Sequence, residues 1–184
     1  MRPTAQTVLL FYLIAGATGN LTAQTSGARD SAQSIAGWVA SIERRRTQLV
    51  PTVLDLPSSS TEGSQVALFR LGNAVRKVTA IYYGESGKAT ECYYVLEGQP
   101  RFFVRTESRY TRPLSGKIRS QTTERVWLGS ASAHRWQDTS GSSRHSSADL
   151  ARKSEEVRRD FTALIGTTHE GYKSRDRMPN VRCS

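Results

Sequence analysis

The centre of the chain consists of short runs of β-branched and aromatic residues in which side chains alternate between two faces, as in β-strands. Tight turns that contain glycine separate the runs. Four runs come first: QVALFRL (65–71), AVRKVTAIYY (74–83), KATECYYVL (88–96) and RFFVRTESRY (101–110). After a polar, basic loop over 111–121, TTERVWLGS (122–130) and SAHRWQDT (132–139) form a further pair. The pattern predicts an antiparallel β-meander of about six strands.

Two segments with the helical period of 3.6 residues flank these runs. The first follows Asp30 or Ser31 as N-cap and has an apolar stripe formed by Ile35, Trp38, Val39, Ile42 and Leu49. The second follows Ser146 and Asp149, which resemble a capping box. Its apolar stripe includes Leu150, Val157, Phe161, Leu164 and Ile165, and Gly166 ends it. We expect an α+β fold, with an N-terminal helix, the meander and a C-terminal helix packed on the sheet.

Both faces of the predicted sheet carry apolar groups. Alternation within each strand assigns one face to Val78, Ala80, Tyr82, Tyr93, Val95, Phe102 and Val104, and the other to Ile81, Tyr83, Cys92, Tyr94, Leu96 and Phe103. A sheet that is apolar on both faces is covered on one and at least partly on the other. We therefore interpret the aromatics of the 91–105 hairpin as core residues. The alternative is a stacking platform for a ligand.

The first 23 residues have the order of a secretory signal peptide. Arg2 precedes the apolar run VLLFYLIAGA (8–17), and Leu21-Thr22-Ala23 supplies small residues for cleavage. The run is too short for the ~20 residues that span a bilayer. Cleavage after Ala23, or as second choice after Ala17, predicts a periplasmic or secreted protein. An uncleaved anchor and a buried core helix are the alternatives.

The rest of the chain is expected to form a single domain over 24–166 and a disordered basic tail over 167–184. The tail has few apolar residues and no period. Cys92 lies in a predicted strand and Cys183 in this tail. Export would permit a disulfide between them, but the sequence does not show the geometry, so a buried Cys92 and a free Cys183 remain the alternative.

The chain carries a formal net charge of +10, and loss of Arg2 with the signal peptide would leave +9. On the fourth strand, Arg101, Arg105 and Arg109 have the same parity, and Arg112 continues the series into the loop. We expect these four arginines to bind a ligand, with an anionic envelope polymer or another protein as partner. A solvated basic surface is the alternative. Nucleic acid is less favoured because the RNA-recognition motif pattern is absent.

Motifs for catalysis and cofactors are absent from the sequence. It contains no G-x-S-x-G elbow, no phosphate-binding glycine loop and no histidine pair at metal-ligand spacing. We expect no metal and no cofactor. The enzymatic alternative is a hydrolase in which His134 acts with Glu124 or Asp138. Glu91, Glu107, Glu124 and Asp138 lie on successive strands and could pair across the sheet.

The stretch VRKVTAIYYGESGKATECYYVLEGQPRFFV resembles the sheet of small uncharacterised exported bacterial proteins. The residues that carry the resemblance are Tyr82, Tyr83, Gly87, Tyr93, Tyr94, Val95, Gly98, Phe102 and Phe103. ERVWLGSASAHRWQD looks like a degenerate second copy, with Trp127, Leu128 and Trp136 in the aromatic positions. The resemblance covers about 65 residues of strand and turn pattern. It implies an envelope protein and transfers no catalytic residues.

We therefore expect an exported, non-enzymatic binding or structural module whose basic surface meets an anionic partner. Besides the hydrolase, an inhibitor or chaperone-like module that presents a sheet edge to another protein is an alternative. The sequence leaves the ligand and the oligomeric state open.

Overall fold

The computed structural model describes residues 31–56, 60, 62–139, 141, 144–169, 172–173, 181 and 183. The predicted signal peptide (1–23) and the residues that follow it up to 30 lie outside the described residues. Within the described part, no helix is long and apolar enough to cross a membrane.

A seven-stranded antiparallel meander lies between two helices. Helix α1 spans Ala32–Arg44, a 3-10 turn spans Arg46–Gln48, and helix α2 spans Ser147–Thr167. The strands are β1 (Val50–Leu56), β2 (Ser64–Leu71), β3 (Ala74–Gly84), β4 (Gly87–Leu96), β5 (Gln99–Tyr110), β6 (Ile118–Leu128) and β7 (Ala133–Gln137). They pair in chain order, and the two-residue β8 (Tyr172–Lys173) adds to the free edge of β1. The predicted α+β fold is confirmed, and the meander has seven strands where about six were expected.

Both helices begin where the sequence predicted caps. The Ser31 side chain accepts a hydrogen bond from the backbone N–H of Ser34 at the start of α1. At the start of α2, Ser146 and Asp149 form the capping box, each side chain binding the other's backbone N–H. The two helices cover opposite faces of the sheet, so each face has a core of its own.

The two cores divide the aromatic residues of the β4–β5 hairpin. Tyr93 lies opposite Phe103 on the α2 face, where Phe161 packs against Tyr93 with ring centroids 5.3 Å apart. Tyr94 lies opposite Phe102 on the α1 face. All four rings are buried, which confirms that these aromatics are core residues.

The predicted face of β5 relative to its neighbours is wrong. Phe103, not Phe102 and Val104, shares the α2 face with Tyr93 and Val95. Alternation fixes which residues of one strand lie together, but the pairing register decides how adjacent strands match, and a one-residue shift exchanges the faces. Here the register shifts between Tyr94 and Val95, next to the turn at Glu97–Gly98.

The end of the chain departs from the predicted disordered tail over 167–184 wherever it is described. Thr167 is the last residue of α2, Tyr172–Lys173 pair with β1, and Cys183 is buried. Cys183 forms a disulfide with Cys92 across 91 residues of chain. Val181 packs with it against the α1 core. The tail lacks an apolar period of its own, but the disulfide ties Cys183 to strand β4.

Candidate functional site

The four arginines that were expected to bind a ligand do not form one surface. Arg101 is half-buried and is the extra residue where the β4–β5 register shifts, whereas Arg109 is exposed near the other end of β5. Their separation of eight positions along the chain corresponds to roughly 26 Å of strand. Arg112 is exposed in the loop that follows. Only Arg109 and Arg112 lie together at the same end of the sheet.

Arg105 is held by carboxylates. Its Nη1 lies 3.2 Å from Glu91 Oε1, and its Nη2 lies 2.8 Å from Glu107 Oε1. Glu124 is its register partner on β6. Although burial opposes a charge at this position, Glu91 and Glu107 raise the pKa of Arg105. Its charge is therefore compensated by these two carboxylates, although the side chain is 41% exposed, and Arg105 does not add an unpaired cation to the surface.

Glu91 is the buried member of this group. Its Oε2 accepts hydrogen bonds from the Tyr93 hydroxyl at 2.9 Å and from the Tyr82 hydroxyl at 3.4 Å. Burial raises the pKa of Glu91, and the bonds from Tyr93 and the charge of Arg105 only partly oppose this effect. The same burial and the nearby carboxylate raise the pKa of Tyr93.

Lys153 of α2 lies next to these residues, on the face of the sheet that the helix covers. Its Nζ lies 3.0 Å from Glu124 Oε1 and 2.8 Å from Glu156 Oε1, and it sits over the ring of Trp136. Burial works against its charge, but the two carboxylates raise the pKa of Lys153. We call Glu91, Arg105, Glu107, Glu124, Lys153 and Glu156 the paired cluster.

An open groove of about 580 Å³ lies beside the paired cluster. Its lining consists of Arg105, Glu107, Thr122, Thr123, Glu124, Asp138, Thr139 and Lys153. The groove brings together Glu124 and Asp138, two of the three residues of the hydrolase hypothesis. It does not include His134, whose ring lies against Gly129 at the β6–β7 turn. Glu124 lies four positions before Leu128, which is next to that turn, and this spacing corresponds to roughly 13 Å of strand.

The groove therefore lacks the histidine of the hydrolase hypothesis. Lys153 also holds the Glu124 carboxylate in an ion pair. Across the described ranges, no group of three or more His, Cys, Asp or Glu residues is arranged to hold a metal ion. The ion pair between Lys153 and Glu124 could not be predicted from the sequence, because the position of a lysine on a helix does not indicate which strand the helix packs against.

The end of the β5–β6 hairpin has a different character. We call residues 109–119 the basic hairpin tip. Strand β6 already begins at Ile118, so the predicted loop over 111–121 is shorter and spans 111–117. The backbone N–H of Thr111 donates to Lys117 O at 2.8 Å and closes the loop. The N–H of Leu114 donates to Glu85 O at 2.8 Å, which fastens the loop to the β3–β4 turn.

A glycine permits this neighbouring turn to come close. A side chain at Gly87 would overlap the carbonyl oxygen of Ser108 on β5. The N–H of Tyr110 also donates to Ser86 O at 2.9 Å. The tip is thus supported by a second hairpin beside it.

The cations of the basic hairpin tip are exposed. They are Arg109, Arg112, Lys117 and Arg119. No acidic residue occurs between Glu107 and Glu124 in the sequence. None of the four forms an ion pair with any other residue that the structure describes. Four exposed cations without an ion pair among the described residues therefore lie at one end of the sheet.

No protein-family model, curated protein or solved structure matches the chain. What the paired cluster and the basic hairpin tip can bind is therefore inferred from their geometry and charge alone.

Proposed function

We propose that the protein is an exported, non-enzymatic binding module of the cell envelope, and that its basic hairpin tip contacts an anionic partner. The observation that carries the proposal is the set of four exposed cations without ion pairs among the described residues. The proposal moves the binding surface away from Arg101 and Arg105. It keeps Arg109 and Arg112 and adds Lys117 and Arg119.

Exposed cations that no carboxylate neutralises are suited to a polymer of negative charges. Each contact with a polyanion releases condensed counterions, so binding is favourable at low salt and weakens as salt increases. The β3–β4 turn supports the tip and holds its backbone in place before the partner binds. This preorganisation lowers the entropic cost of binding. The anionic surfaces of the cell envelope have the matching charge.

The Cys92–Cys183 disulfide supports the exported part of the proposal. Disulfides persist mainly in oxidising compartments such as the periplasm or the extracellular space. The mature protein isolated from its host should begin at Gln24 or, as second choice, at Thr18. Mass spectrometry of the exported fraction checks this, and an intact Met1 would contradict it.

The binding proposal is tested with dextran sulfate as the polyanion. In the tip variant, Arg109, Arg112 and Lys117 are replaced by Gln. In the control variant, Gln replaces three exposed cations outside the tip, Arg44, Arg46 and Arg144. Both variants lose three positive charges, so an effect of net charge alone would be equal in the two.

We expect the tip variant to bind dextran sulfate at least tenfold more weakly than the wild type, because each surface contact with an anionic polymer adds a favourable electrostatic contribution. The control should stay within about threefold of the wild type, since cations outside the contact act only through screened long-range attraction. Equal losses in the two variants would show that the net charge, rather than the tip, governs binding.

A further inference from the structure

Two large apolar side chains lie among the cations of the basic hairpin tip. The exposed fraction is 69% for Leu114 and 46% for Ile118. Over the residues that the structure covers, the one other large hydrophobic residue with comparable exposure is Val50. Exposed apolar residues that occur singly need no explanation, but two of three on one short hairpin end form a local feature.

The backbone at Leu114 fixes this exposure. Its φ is 54°, in the left-handed region that branched and bulky residues rarely adopt. Glycine or asparagine usually occupies such a position. The hydrogen bond from Leu114 N–H to Glu85 O holds the turn in this conformation. The side chain is therefore held outward by an ordered turn, and a non-glycine residue in an unfavourable conformation is a reason to look for a function.

A polyanion in water would use the cations of the tip but not these apolar groups. A bilayer of anionic phospholipids offers partners for both, because its headgroups carry negative charge and its acyl chains begin just below them. We propose that the basic hairpin tip docks on an anionic phospholipid bilayer, with Leu114 and Ile118 entering the boundary between headgroups and acyl chains. This inference rests on the proposed function, because it names the anionic partner of the same tip.

The charges argue against a second copy of the chain at this surface. Two tips in contact would bring eight cations together without a carboxylate between residues 108 and 123 on either chain. Like charges placed together oppose association. A bilayer containing phosphatidylglycerol has the opposite charge.

The test measures binding of the full chain to vesicles of phosphatidylglycerol and phosphatidylcholine by flotation. Leu114→Asn removes the apolar side chain and keeps a residue that tolerates the left-handed conformation. Val50→Asn is the matched control, because Val50 is 66% exposed and lies four strands away at the other end of the sheet. Dextran sulfate serves as a second probe without acyl chains.

We expect Leu114→Asn to weaken vesicle binding about tenfold, since the buried leucine contributes through its apolar area. Its binding to dextran sulfate should equal that of the wild type, and Val50→Asn should match the wild type on both probes. Vesicles of phosphatidylcholine alone should bind the wild type far more weakly, because they lack the negative surface charge.

Several results would overturn the inference, and they differ from those that would overturn the proposed function. If Leu114→Asn bound the vesicles as well as the wild type, the apolar docking would be refuted and the polyanion contact would stand. A lower molecular mass of Leu114→Asn in solution without vesicles would assign Leu114 to a contact between copies. If the tip variant lacking Arg109, Arg112 and Lys117 kept its affinity for both probes, the proposed function itself would fail.

Discussion

Strand β5 carries two arginines of the same parity, four residues apart, that have opposite roles. Arg105 is bound by Glu91 and Glu107 inside the paired cluster, whereas Arg109 is exposed and forms no ion pair among the described residues. A net charge of +10 does not distinguish them. Their surroundings distinguish them, because a side chain already paired with a carboxylate of the protein interacts less strongly with a charged partner.

The difference follows from what covers each arginine. Near Arg105, helix α2 lies over the sheet, and Lys153 of that helix forms ion pairs with Glu124 and Glu156. A charge removed from water must be paired, so a covered region collects acids and bases together. The other buried lysine with an ion pair, Lys77, follows the same rule with Glu43 of α1 at 2.8 Å. At the tip neither of the two described helices covers the strands, and the cations are exposed to water.

The largest effect is expected from weakening the packing of helix α2 on the sheet, next to the paired cluster. Phe161 of α2 is buried against Tyr93 of the sheet. Phe161→Ala should lower the free energy of unfolding by about 3–5 kcal/mol, because it leaves a cavity in the core. Leu114→Asn at the tip should change it by less than about 0.5 kcal/mol. Urea unfolding checks both values, and a loss below about 1 kcal/mol for Phe161→Ala would mean that α2 is not docked on the sheet.

Charge reversal on β5 compares the two arginines directly. Arg105→Glu should lower the free energy of unfolding by about 2 kcal/mol, since it places a third carboxylate beside Glu91 and Glu107. We expect less than for a fully buried pair, because water screens the half-exposed Arg105. Arg109→Glu should stay within about 0.5 kcal/mol of the wild type. Similar values for the two variants would remove the distinction between the paired cluster and the tip.

A smaller effect should appear in the pH dependence of stability. Burial raises the pKa of Glu91, so the folded protein keeps this proton to a higher pH than the unfolded chain does. The contribution of Glu91 to stability is therefore largest below its unfolded pKa and is lost as the pH rises through its folded pKa. Glu91→Gln, which does not titrate, should gain stability relative to the wild type as the pH rises above the unfolded pKa of about 4.

Glu43 on the opposite face supplies the contrasting case. Burial opposes its charge, but Lys77 and Tyr94 lower the pKa of Glu43. Its contribution is present above the unfolded pKa and is lost as the pH falls through the folded pKa, so Glu43→Gln should lose stability relative to the wild type as the pH rises. Urea unfolding at several pH values checks both variants. The same sign of pH dependence in both would contradict the assignment of opposite pKa shifts.

Local patterns in the sequence were enough to predict the elements of the fold. The capping box at Ser146 and the aromatic runs around Tyr93 and Phe103 depend on neighbours along the chain, and the structure contains both. The register of β5 and the link between Cys92 and Cys183 depend on residues far apart in the sequence. The two cysteines made the disulfide possible, but a single sequence shows neither the geometry that joins them nor the register of two strands.

The candidate site shows the same limit. Parity placed Arg105 and Arg109 on one face of a strand, but it could not show that Glu91 and Glu107 would hold the first of them. The absence of acids between Glu107 and Glu124 was visible in the sequence and marks the basic hairpin tip. The exposure of Leu114 could not be predicted without the backbone conformation of the loop.

The central claim is that exposed cations of the basic hairpin tip, and not the paired arginine, contact the anionic partner. The most direct test is the salt dependence of dextran sulfate binding for the wild type, Arg105→Gln and Arg109→Gln. The logarithm of the binding constant falls linearly with the logarithm of the salt concentration. Each lost contact with the polyanion makes this slope shallower by about one. We predict that Arg109→Gln has this shallower slope and that Arg105→Gln has the wild-type slope. A wild-type slope for Arg109→Gln, or an equal reduction for Arg105→Gln, would contradict the account.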